Sequence, residues 1–171
     1  MTRSVLPFVI ALSFTRVSQL SGQQDRPASP RVLTWVTIGA GGATAGNGGF
    51  AGAAGFDVLS GNQLVSLRAT GVALLFDDDL WDVGLLYGRA VRRSHGLAAG
   101  SAGLAIMGGD RCVGFLGGSC TRMPVRLSLP LAARIEWNAA WIGVGVYAFG
   151  NLNSGRSFAG AALTIQLGRL R

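Results

Sequence analysis

Two cysteines, one histidine and a short run of aspartates are the residues whose types could carry chemistry. Cys112 and Cys120 flank the glycine-rich segment VGFLGGS. In an exported chain an even pair at this spacing favours a disulfide. Closing so short a loop would add only about 2–3 kcal/mol in the chain-entropy model. A catalytic dithiol is the sharper alternative, and a metal site on this pair has no histidine near it in the sequence. His95 follows Ser94, a juxtaposition that makes a hydrolase only when a carboxylate orients the base. No G-x-S-x-G motif is present, so an exposed turn histidine is preferred. Asp77, Asp78 and Asp79 offer the hard oxygen donors a divalent cation takes, but they also suit a solvated loop. The glycines of Gly41–Gly49 open no helix, so they make no nucleotide cradle. No catalytic, cofactor or metal residue is assigned, and the chain is read as a non-enzyme.

The background against which these residues stand is unusual. The chain has 171 residues, 49% hydrophobic and 13% charged, with 27 glycines. Soluble domains average about 25% charged residues, so this surface is short of charge. Yet beyond the N-terminus no run approaches the ~18–20 apolar residues of a spanning helix. Apolar content without apolar runs means alternation. The net charge of +7 comes from scattered arginines, not from a dense basic stripe. Nucleic acid, which wants clustered cations, is therefore disfavoured as a partner, and attraction to anionic headgroups is preferred.

The N-terminus reads as an export signal. Arg3 precedes the apolar stretch Ser4–Phe14, and a polar segment follows, the order of a secretory leader. The expected organisation is a signal peptide over 1–22, a flexible spacer over 23–31 and one domain over 32–171.

That domain alternates. From Val125 to Trp137 the odd positions are apolar throughout, while the even ones include Arg126, Ser128, Arg134 and Glu136. Successive strand side chains point to opposite faces, so one face is greasy and the other mostly polar. The stretch exceeds the ~9–11 residues a tilted strand needs to cross a bilayer. Similar alternation predicts eight strands, at 32–43, 49–58, 63–73, 81–92, 96–107, 124–137, 141–150 and 156–170. The Ala/Gly-rich second of these is the weakest. An even count places both ends of a barrel on one side, and the connections on the other side are expected to be longer, the longest being Gly108–Met123.

The polar faces would turn Arg68, Asp82, Arg126, Arg134, Glu136 and Gln166 into the lumen. Buried charges need partners, and eight strands enclose a space just wide enough for side chains, so a plugged lumen is expected. Trp35, Trp81, Trp137, Trp141, Phe149 and Phe158 fall near strand ends, where they would form two aromatic girdles.

With alternation, strand number and girdles together, the chain resembles the small bacterial outer-membrane β-barrels, the class of the OmpA transmembrane domain and OmpX. Segments such as DVGLLYGRA (Asp82–Ala90) and YAFGNLNSGRSFAG (Tyr147–Gly160) are similar to the strand-loop-strand units of that class. Such barrels commonly end on an aromatic residue, whereas here the last residues are Gly168-Arg169-Leu170-Arg171. The resemblance implies an all-β fold, an eight-stranded antiparallel up-and-down transmembrane barrel in the outer membrane. It implies outer-membrane lipid and the barrel assembly machinery as partners, with no cofactor and an unspecified extracellular partner. A structural or surface-interaction role in the envelope is the expected function. The alternatives are a soluble periplasmic lipocalin-like ligand-binding barrel and a lipid-modifying barrel enzyme.

Overall fold

The computed structural model of the chain describes residues 31–45, 48–74, 78–113 and 119–170; the leader and all but the last residue of the spacer lie outside them. The alternating segments form eight strands: β1 (Val32–Thr44), β2 (Gly48–Ser60), β3 (Gln63–Leu74), β4 (Asp78–Arg93), β5 (Gly96–Val113), β6 (Ser119–Ala139), β7 (Ile142–Leu152) and β8 (Phe158–Arg169). Each pairs antiparallel with the next, and β1 also pairs with β8, so the sheet closes into a barrel in sequence order. Closure gives every strand a partner on both sides over at least part of its length. The Ala/Gly-rich segment at 49–58 is a full strand.

On the side that holds the described chain ends, every connection is a two-residue turn: Gly61–Asn62, Ser94–His95 and Ala140–Trp141. Gly61 adopts φ 58°, the left-handed region glycine enters without steric cost. On the opposite, loop side the strands are three to five residues apart in sequence. The longer connections are thus on the side the sequence pattern indicated. Their lengths differ from expectation, because Gly108–Met123 is not a loop. β5 runs on to Val113 and β6 starts at Ser119, making a hairpin that rises above the barrel. The ladder from β6 to β7 begins only at Leu129↔Leu152, so Ser119–Ser128 have a neighbour on one side alone. Pro124, which cannot donate to a ladder, sits in that stretch, where proline is tolerated.

The outer surface carries the greasy face. One cross-strand row runs Ile142, Leu167, Val36, Phe56, Leu67, Leu85, Leu104 through β7, β8, β1, β2, β3, β4 and β5 in register. All seven are exposed. Exposed apolar patches on soluble monomers rarely exceed a few hundred Å², and this one girdles the barrel. Among the described residues every charge whose side chain is placed lies inside the lumen or towards one of the barrel's two ends.

The inner face is layered. Near the chain ends Leu33, Trp35, Leu59, Leu64, Leu97 and Leu170 form one buried apolar cluster. Near the loops Val72, Leu80, Met107, Tyr147, Phe149 and Phe158 belong to a second. Glycines facing inward let the strands close up: a Cβ on Gly103 would run into the Leu85 carbonyl.

Candidate functional site

Between the two apolar layers the lumen is ionic. Asp57, at the chain-end part of β2, is fully buried. Its Oδ1 and Oδ2 each accept a hydrogen bond of 2.8 Å from Arg134 of β6. β2 and β6 are four strands apart in a ring of eight, so this bidentate pair spans the lumen. Paired parallel N–H···O bonds of this kind combine strength with a fixed orientation. Thr37 of β1 donates to Asp57 Oδ2 at 2.9 Å and Ser66 of β3 to Oδ1 at 2.5 Å. Glu136 receives a longer bond from Arg134, at 3.4 Å, and the Arg134 guanidinium lies 5.2 Å from the centre of the Tyr147 ring. The donors and acceptors of this cluster lie on four barrel strands, β1, β2, β3 and β6.

A second bridge lies nearer the loops. Arg68 of β3 pairs with Asp82 of β4, and also donates to the Leu131 carbonyl of β6 at 3.1 Å. Asn151 of β7 donates to the same Asp82 oxygen at 2.5 Å. Gln166 is buried beside these layers and donates to Thr164 at 2.7 Å. The space left beside Asp57, Arg68 and Arg134 is about 10 Å³, room for no more than about one water.

Several sequence-derived placements change. Arg126 is exposed, not enclosed. Its parity on β6 does face inward, but it lies above the point where β7 joins, in the rising hairpin. Trp35, Phe149 and Phe158 are buried inside the barrel and do not belong to a girdle. Their parity turns them inward, and glycine makes room there: the Phe149 ring fills the place a Gly160 side chain would take. Trp81, Trp137 and Trp141 do point outward. Asp57 was absent from the expected lumen set. Its inclusion, with Arg126 outside, reverses the charge balance expected of the lumen: the buried acids are Asp57, Asp82 and Glu136, against Arg68 and Arg134.

The remaining candidates are simple. His95 Nδ1 and Ser94 Oγ are 3.1 Å apart in an exposed two-residue turn, while the nearest acid in sequence on β6, Glu136, is turned inward onto Arg134. Asp77 lies outside the described residues, and no group of three or more metal-ligating side chains occurs among those described. Cys112 and Cys120 are register partners across the β5–β6 hairpin. Directly opposed residues of an antiparallel pair have Cα atoms about 4.5–5.5 Å apart, within the ~4.4–6.8 Å range of disulfides.

At the loop-side mouth, the β7–β8 connection folds across the opening. Asn153 Oδ1 accepts from the backbone N–H groups of Gly155 and Arg156 at 2.6 and 2.8 Å. Arg156 reaches over to the Ala45 carbonyl, donating from Nε at 3.2 Å and Nη2 at 3.1 Å. A cavity of about 310 Å³ remains between this connection and the inner wall of the β5–β6 hairpin.

No family model matches the sequence, and no curated protein matches it. Solved structures do match by shape. Neisserial surface protein A superposes with a TM-score of 0.62 at 10% identity, covering 80% of this chain and 96% of that one. The N-terminal β-barrel domain of Pseudomonas aeruginosa OprF gives 0.54 at 14% identity, covering 81% and 99%. Ail, the attachment invasion locus protein of Yersinia pestis, gives 0.53 at 11% identity, covering 84% and 100%. The chain has the closed eight-stranded antiparallel fold of these small bacterial barrels, and at such identities the likeness is one of fold.

Proposed function

We propose that the chain is a non-enzymatic outer-membrane barrel that presents its loop-side rim at the cell surface for contact, on a filled, non-conducting stem. The apolar row through seven strands carries this reading. A belt that runs around the circumference is matched by lipid, which also encircles the barrel, whereas a partner protein would cover one side. Three outward tryptophans near the two ends of the belt fit interfacial anchors. The fold likeness to a surface protein and an attachment protein supports the same location. Ail has been solved in complex with the heparin analogue sucrose octasulfate, so a barrel of this fold can meet a sulfated sugar.

The lipocalin-like reading needs the opposite arrangement, an apolar cavity inside and a polar exterior. Here the interior is crossed by Arg134–Asp57 and Arg68–Asp82. A hydrolytic reading has, among the described residues, no buried carboxylate bonded to His95. Within the proposed role, a Cys112–Cys120 disulfide would stiffen the tip of the hairpin.

Orientation is tested on intact cells. An epitope inserted between Val113 and Ser119 is expected to bind antibody without permeabilisation, and one inserted between Ser94 and His95 only after it. The reverse pattern would put the hairpin in the periplasm and remove the surface role.

A further inference from the structure

The cavity at the loop-side mouth is built for a particular chemistry. Four arginines line it: Arg111 and Arg122 from the hairpin, Arg126 just below them and Arg156 from the β7–β8 connection. Among the described side chains no acid lines it, and Asp78 of β4 is the register partner of Arg111. Asp110 stands 3.9 Å from the Arg122 guanidinium in an exposed pair, a geometry worth little in water. Met107 and Pro124 contribute an apolar surface between these cations. Arg156 is already bonded to Ala45, so it acts as a fixed wall and not as a swinging arm. Arg122 and Arg126 are exposed side chains at the open face.

We propose that this cavity binds a sugar unit bearing sulfate or phosphate esters. Guanidinium groups match the oxygens of such esters through paired hydrogen bonds, and the apolar patch suits the C–H face of a sugar ring. The volume is at the low end of small-ligand sites, which fits one substituted sugar or the end of a chain, not a folded partner. The backbone of both walls is held before binding, one by the β5–β6 ladder and the other by Asn153 and Arg156, so the ordering cost falls on the exposed Arg122 and Arg126 side chains. The inference deepens the surface role and rests on it for where the ligand comes from, either an external glycan or a phosphorylated glycolipid of the same membrane. Binding itself is a property of the folded barrel.

The test is titration calorimetry on the full barrel refolded in zwitterionic detergent, with sucrose octasulfate as probe and sucrose as reference. One saturable site is expected for the octasulfate and none for sucrose. Arg122→Ala combined with Arg126→Ala is expected to weaken binding by about tenfold or more. Arg92→Ala with Arg93→Ala, at the other end of the barrel, is expected to leave it unchanged. Heat-modifiable mobility of each variant shows that the barrel is intact, which separates failure of this site from failure of the fold. A second arm uses phosphatidylcholine vesicles with and without a phosphorylated glycolipid. Affinity for the octasulfate alone assigns an external glycan, and affinity for the glycolipid vesicles, lost in the same double variant, assigns a lipid headgroup. Equal binding of sucrose, no binding in either arm, or equal losses from the two arginine pairs overturns the proposal.

Discussion

Replacing Asp57 by alanine is expected to destabilise the barrel by about 3–5 kcal/mol, the cost of leaving one partner of a buried ion pair uncompensated. The residue concentrates the loss. Arg134 would lose both bonds of its bidentate pair, and Thr37 and Ser66 would each lose an acceptor. The alternative partner, Glu136, lies two residues along the same strand and holds Arg134 at 3.4 Å, so it cannot replace the bridge across the lumen. Urea unfolding of protein refolded in phosphatidylcholine vesicles measures the change. Asp57→Leu combined with Arg134→Met is expected to recover much of the loss, since a buried pair replaced as a unit leaves no lone charge. A single-variant loss below 1 kcal/mol would show that the bridge is not structural. Planar-bilayer recordings on the same preparations are expected to be silent, because Leu33, Trp35 and Leu170 still close the chain-end side. A steady unit conductance in the wild type would refute the filled lumen.

A charge on the outer belt is expected to be as damaging as a lost charge inside. Leu163 lies midway along β8, is 74% exposed and is flanked in register by Ala40 and Val146. In a water-soluble barrel Leu163→Arg would be nearly neutral, as surface substitutions usually are within about 0.5 kcal/mol. In a bilayer, arginine at the midplane of a barrel strand costs about 2–4 kcal/mol. The same urea experiment is expected to give the larger figure, with a smaller cost for Leu152→Arg at the loop-side end of β7. Equal, near-zero costs at both positions would mean that lipid does not surround the belt.

The periodicity of side chains was the most legible feature of the sequence. It is a local property, and it identified eight strands and the exterior face without reference to contacts between them. What failed was the use made of strand ends. Trp35, Phe149 and Phe158 were placed in girdles by their position along a strand, although their parity, opposite to that of Ile38, Val146 and Leu163, already turned them inward. Position decides depth and parity decides side, and a girdle residue needs both. Asp57 escaped for a related reason. Its strand is dominated by alanine and glycine, where alternation carries almost no hydrophobic contrast, yet Asp57 lies between the outward Phe56 and Val58. A single carboxylate on the inner parity was the available signal. The exposure of Arg126 was not legible, because it depends on how far β6 rises past β7. That is a matter of register between strands, and register is set by pairing. The mouth cavity was equally hidden, since its arginines at 111, 122, 126 and 156 come together only through the hairpin and the β7–β8 connection.

The proposed placement is an eight-stranded barrel spanning the outer membrane with lipid around its belt. It is tested most directly by electrophoresis of the carbonate-washed outer-membrane fraction, with and without boiling. The chain is expected to remain in the membrane pellet and to run as a compact form that shifts to its full unfolded mobility only on heating. Recovery in the aqueous periplasmic fraction, with one mobility whether heated or not, would contradict it.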